Sequence, residues 1–232
     1  MKKDLTRINI DKDKIINLYI GKGTESRNII KMIKMGIQNP FKYFNTIKKI
    51  SFDIELIYSR KEIDGILGSK TPNWLIASSF KNKFIIFDPS KIEKYTCHNK
   101  NEFEQLITHE TTHILLKKLN SNLCDWMNEG LALNIAKQEK RKDIKAKNIN
   151  YFIKNCLFKN SKYETFISKQ GYNISYRLIR FLLANYDKKT MLKLFKIEYK
   201  SNKSAEKDVC RVLSQNKNKL IDQFTKILKI HE

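Results

Sequence analysis

The sequence predicts an α+β fold, with a small mixed sheet in the N-terminal part and a mainly helical C-terminal half. Two observations carry that. Stretches with strand patterning are confined to roughly the first 90 residues, and helical periodicity runs from Asn101 almost to the end. A third bounds the size. The chain has 232 residues, of which 41% are hydrophobic and 11% aromatic, enough for a real core in one domain with, at most, a small appendage. Only 3 Pro and 7 Gly argue against long linkers, and neither a repeat nor a low-complexity tract interrupts the chain. The organisation expected is an N-terminal extension, residues 1–50, followed by one domain over 51–232.

Taken in order, the first 50 residues offer one helix pattern, around Ser26 to Met35, and then Asn39-Pro40. Gly21-Lys22-Gly23-Thr24 resembles a phosphate loop but lacks the G-x-x-x-x-G-K-[ST] spacing, so it reads as a turn. Ser51 to Tyr58 (SFDIELIY) alternates apolar and polar residues and predicts a strand. Gly65 to Pro72 reads as a loop. Trp74 to Ser79 and Lys83 to Phe87 predict two further strands, joined through Lys81-Asn82, with Asp88-Pro89 closing the second.

The formal net charge of +22 allows an anionic partner such as nucleic acid. The composition argues otherwise. Of 46 basic residues only those at 7, 27, 60, 141, 177, 180 and 211 are Arg, whereas phosphate and base recognition favour the Arg fork. The Lys are scattered and do not cluster with aromatics, so a weak, non-specific affinity for nucleic acid is what the charge predicts. The 4 Cys, at 97, 124, 156 and 210, form neither a C-x-x-C pair nor a disulfide scaffold, and read as reduced thiols. The apolar runs are too short to span a membrane, and Asp4, Asp11 and Asp13 interrupt any secretory h-region. The expected setting is therefore the cytoplasm.

Residues 101–136 carry the chemistry. Asn101, with Glu104 three residues on, has the form of an N-cap and capping-box acid. Phe103, Leu106, Ile107, Ile114 and Leu115 then recur at helical spacing. Within that helix stands His109-Glu110-Thr111-Thr112-His113, an H-E-x-x-H motif. Four residues make just over one turn, so both imidazoles project from one face and can reach a single ion at ~2.0–2.1 Å. Glu110 follows the first His, placed to take a proton from a water and return it to a leaving group. Two imidazoles and a carboxylate on the buried side of a helix are costly unless something satisfies them, and a metal does so.

A zinc site of this kind needs a third protein ligand and an open position. His98 and His231 are poorly placed. Downstream lies Trp126-Met127-Asn128-Glu129-Gly130-Leu131-Ala132, a second helix that Asp125 can cap. Trp126, Glu129, Leu133 and Ala136 share one face, and the small Gly130 and Ala132 are expected to let this helix approach the first. The gap from Ser121 to Cys124 is short enough for the two to pack as neighbours.

HETTH followed by WMNEGLA resembles the gluzincin metallopeptidases, and among them the peptidase-MA-like bacterial members with a thermolysin-like zincin catalytic domain. The resemblance extends from about Ile54 to the end: TPNWL and KFIIFDP are similar to the region where a strand edges the cleft, GYNISYRLIRFLLANY to a later helix whose tyrosine faces the site, and Ser204 to Leu228 to the closing helical pair. It implies Glu129 as third ligand, one zinc per chain on His109, His113 and Glu129, Glu110 as general base and then acid, and a peptide or protein substrate that pairs with the KFIIF strand. A tyrosine or another donor is to stabilise the oxyanion. Tyr172 and Tyr176 lie four apart on similar faces, so spacing does not choose between them. The resemblance favours Tyr172, which stands three residues before the small Ser175, as the donor tyrosine does in related aminopeptidases.

Two departures limit what the resemblance implies. Only residues 114–128 separate His113 from Glu129, fewer than in the large aminopeptidases, and the G-x-M-E-N exopeptidase motif is absent. Endo- and exopeptidase action both stay open. So do three other readings: a zincin scaffold that has lost catalysis and binds protein, a basic nucleic-acid binder with a structural zinc, and hydrolysis of a non-peptide amide. The intact Glu110 argues against the first, and a His/His/Glu set with an open position against the second.

Overall fold

The computed structural model describes residues 3–11, 13–22, 26–80, 82–138, 143–159, 162–199 and 202–229. The fold is α+β: a small mixed sheet in the N-terminal part and a mostly helical C-terminal half. Two compact units divide the chain, Met1–Leu115 and Leu116–Glu232.

The first unit is built on strands β1 (Lys3–Asp11), β2 (Lys14–Gly21), β3 (Ile50–Ile57), β4 (Ala77–Phe80) and β5 (Lys83–Phe87), in the spatial order β1-β2-β3-β5-β4. The outer pairs are antiparallel, while β2–β3 and β3–β5 are parallel. A parallel pair requires a crossover. Helix α1 (Ser26–Tyr43) supplies the one from β2 to β3, with Ile29, Ile33, Gly36, Ile37, Pro40 and Phe41 on its buried face. The continuous apolar run Phe84 to Phe87 is buried because β5 is an inner strand, with β3 on one side and β4 on the other. The polar face of the sheet is laced by ions. Lys3 Nζ lies 2.6 Å from both Glu55 and Glu62, and Lys83 pairs with Glu55 from the opposite side.

Residues 1–50 thus contribute β1, β2 and α1, of which the sequence pattern announces only the helix. Gly23 and Thr24 of the expected turn lie outside the described residues; Gly21 ends β2. Two other expectations are corrected. Gly65 to Leu67 is the last turn of helix α2 (Arg60–Leu67), capped by Ser59, whose Oγ accepts from Glu62 N at 3.2 Å, and ended by Gly68 in the left-handed region at φ 73°. Trp74 to Ile76 are not strand, since β4 starts at Ala77. The approach to β4 is held by Arg60 instead, whose guanidinium donates to Thr71 Oγ, the carbonyls of Pro72 and Leu75, and the carbonyl of Tyr95, while covering the Phe87 ring.

A short helix α3 (Ile92–Tyr95) precedes α4 (Phe103–Leu119), the helix of the H-E-x-x-H motif. The capping box ahead of α4 is Asn99 with Glu102, not Asn101 with Glu104, and a 3-10 turn over Lys100–Glu102 leads into the helix. The unit boundary falls inside α4, which is continuous.

The second unit is helical: α5 (Asp125–Ile135), α6 (Ala146–Asn155), α7 (Tyr163–Ser168), α8 (Gly171–Asn185), α9 (Lys188–Leu194), α10 (Asn202–Val212) and α11 (Lys217–Lys229). Helix α8 is its centre, buried over most of its length and packed on α5 and α11. Trp126 of α5 anchors the core. Its ring meets Phe152 and Phe224 edge-on, and its indole N–H donates to Leu157 O at 3.1 Å. Among the described residues no helix is long and apolar enough to cross a membrane.

Candidate metal centre

Helix α4 buries polar side chains that an ordinary amphipathic helix would leave in water. Thr108, Glu110, Thr111, Thr112 and His113 are all buried, with His109 half-buried among them. The i, i+4 spacing does what the sequence requires of it. His109 Nε2 and His113 Nε2 lie 2.9 Å apart, with ring centroids at 4.6 Å and planes at 79°. Five residues, 120–124, separate α4 from α5, which carries Glu129, whose carboxylate is buried. The ligand atoms offered by His109, His113 and Glu129 all lie within 4.8 Å of one another.

This set fits a metal ion. Bonds of ~2.0–2.1 Å in a tetrahedral shell place ligand atoms roughly 3.3 Å apart, inside the range found here, and two imidazole nitrogens with one carboxylate are donors a borderline cation accepts. Glu110, next to His109 and itself buried, is not one of the three. The sequence-predicted ligands are brought together; His98 is elsewhere engaged. Its Nδ1 is 2.9 Å from Glu102 Oε2 and its Nε2 3.0 Å from Trp74 O, so it ties the segment before β4 to the entry of α4. His231 lies outside the described residues.

Local structure explains how Glu129 is held. The small residue after it does not serve an approach to α4, as the sequence reading has it, but one to α8. A Cβ on Gly130 would lie 2.5 Å from Ile179 Cγ1 and 2.6 Å from Ser175 O, so α5 rests on the α8 backbone at this point. Asn134 completes the contact, its Nδ2 donating to Gly130 O at 2.7 Å and to Tyr176 O at 3.0 Å. The sequence does not single out Asn134: its amide stands among Leu131, Ala132, Leu133 and Ile135 with no motif around it. Asp125 is not the cap of α5 but its first residue, after Cys124 at the N-cap position. Burial, reinforced by the charge of Glu129, raises the Asp125 carboxyl above its ordinary range. Burial likewise pushes the Cys124 thiol up to about 12, against a hydrogen bond from Tyr199. None of the 4 Cys is in a disulfide; Cys124 and Cys156 are buried and Cys97 is exposed.

The two candidate tyrosines differ in setting. Tyr176 is buried, and its hydroxyl accepts from Arg180 Nη1 at 3.1 Å. Tyr172, in the first turn of α8, is half-buried with its ring edge-on to Phe166, centroids 5.7 Å apart. The KFIIF strand has no open edge to offer a peptide, because β4 pairs with it along its length; β4 is the strand at that edge of the sheet. No protein-family model matches the chain, and no curated protein matches it significantly.

Proposed function

We propose that the chain is a zinc-dependent peptidase of the gluzincin type. The observation that carries this reading is the convergence of His109, His113 and Glu129 beside the buried Glu110. A structural zinc site is closed by four protein ligands, whereas two His and one carboxylate leave a position for water, which is the catalytic pattern. A zinc ion there would act as a Lewis acid toward the scissile carbonyl and lower the pKa of its water to ~7.

The protein's own groups divide the remaining work. Glu110 takes a proton on its carboxylate as the water attacks and gives it to the leaving amine. Tyr172 donates its phenolic O–H to the oxyanion as charge builds there. An extended peptide adds to β4, the strand at that edge of the sheet. Four cysteines outside any disulfide agree with action in the reducing cytoplasm.

The test is metal analysis of the purified protein combined with digestion of a broad peptide library. About one zinc per chain and cleavage that stops when the metal is stripped are expected. A metal-free protein that keeps full activity would falsify the reading. A chain that takes up no zinc and binds DNA or RNA tightly at physiological salt, with a steep salt dependence, would instead be the basic binding module.

A further inference from the structure

Gly36 and Pro40 stand four apart on α1, both buried. In an α-helix the N–H of residue i+4 donates to the carbonyl of residue i. Pro40 has no N–H, so the Gly36 carbonyl is released from the ladder of its own helix. Thr108 of α4 takes up that carbonyl. Its Oγ lies 2.7 Å from Gly36 O, closer than the 3.0 Å to Glu104 O in its own helix. The helices come this near because Gly36 has no side chain. A Cβ there would stand 2.8 Å from Glu104 O and 2.8 Å from both Cβ and Cγ2 of Ile107. The contact is therefore backbone against helix on the face of α4 that Glu104, Ile107 and Thr108 share, and Thr108 is the residue immediately before His109.

We infer that Gly36, Pro40 and Thr108 are positioning residues for the metal centre: α1 fixes the rotation and the axial height of α4, and with them the directions of His109 and His113. A bare carbonyl and a missing Cβ define one seat. A helix turned or slid by a fraction of a turn loses both the hydrogen bond and the close approach. Metal sites need such fixing, since a productive constellation tolerates displacements of only ~0.5 Å. A Cβ at 2.8 Å from a backbone oxygen forces the two helices apart by several tenths of an ångström. This inference rests on the metal reading and gives residues 26–43 a role in the site.

The experiment compares the full-length wild type with Thr108→Val, Gly36→Ala and, as a mild core control in the same unit, Ile63→Val. Zinc affinity is measured by chelator competition, and Co(II) is substituted so that its visible d–d bands report the ligand geometry. Thr108→Val keeps the shape and loses the hydroxyl. It is expected to weaken zinc binding about 10-fold and to shift the Co(II) bands, within the ~10- to 100-fold typical of groups that orient ligands. Gly36→Ala is expected to weaken binding more, and Ile63→Val to change neither readout. If Thr108→Val matches the wild type in affinity and spectrum, or Ile63→Val loses as much, the seat is ordinary packing and the inference is overturned while the metal reading stands. A wild type that binds neither zinc nor Co(II) overturns both.

Discussion

His109 and His113 face each other edge to face, Nε2 to Nε2 at 2.9 Å. At that distance the two nitrogens cannot both carry protons without repulsion, and both must be bare to hold a cation. Protons and metal therefore compete for the pair. Zinc is expected to bind at about one per chain, to be released as the pH is lowered, and to be lost in His113→Ala; the readout is elemental analysis after dialysis at a series of pH values. Metal content unchanged in His113→Ala would remove that residue from the ligand set.

Glu110→Gln separates binding from turnover. Gln has nearly the same shape but cannot hold the proton. Zinc content is expected to persist while hydrolysis of the best peptide falls by roughly 10²- to 10⁴-fold. A variant that cleaves at the wild-type rate would mean that another group is the base.

The two tyrosines of α8 give a paired measurement. Tyr176 is buried with its hydroxyl taken by Arg180, whereas Tyr172 sits in the first turn. Tyr172→Phe is expected to lower kcat by about 10- to 1,000-fold with little change in KM or zinc content, because an oxyanion donor acts mainly in the transition state. Tyr176→Phe is expected to do much less. The reverse pattern, read by steady-state kinetics on one substrate, would place the donor one turn further along α8.

Gly130→Ala tests the seat of Glu129 on its own helix. The added methyl meets Ser175 O, a backbone atom that cannot swing away. A loss of ~1–3 kcal/mol in denaturant unfolding of the metal-free protein is expected, together with weaker zinc binding. A variant of wild-type stability would show that α5 has slack against α8.

Glu55 should make part of the stability pH-dependent. Burial alone would raise its carboxyl, but the hydrogen bonds and charges of Lys3 and Lys83 together hold it below its ordinary value. A carboxyl lowered in the folded state stabilises the fold above its unfolded pKa, and that stability is lost as pH falls through the folded one. Glu55→Gln is expected to be less stable than wild type at neutral pH by on the order of 1 kcal/mol, the gap closing on acidification. Thermal unfolding at neutral and acidic pH checks the sign. A gap that stays constant would mean the loss is steric.

The site was legible because its chemistry is written in short spacings. His109 and His113 need only the helical repeat to face one way, and Glu129 follows after a gap too short for a detour. The fold around it was less so. Both Asn99/Glu102 and Asn101/Glu104 satisfy the cap spacing, and only the 3-10 turn decides for the first. Ser59 with Glu62 is the same signal for α2, masked in the sequence by Gly65 and Gly68, which read as a loop. β1 carries Lys3, Asp4, Arg7 and Asp11 among its apolar residues, β2 is a short run with no turn signal of its own, and the reason for both strands, pairing with each other and of β2 with β3, is tertiary. That Thr108 would meet the carbonyl freed by Pro40 joins positions 72 residues apart, beyond any local pattern.

The chain has 2 Trp, and they fall one in each compact unit, in opposite surroundings. Trp74 is 43% exposed and Trp126 only 1%. Each unit therefore carries its own optical reporter. A dissolved collisional quencher reaches the indole at 74 and not the one at 126, so quenched and unquenched emission follow the melting of the sheet unit and of the helical unit separately, without any label being attached.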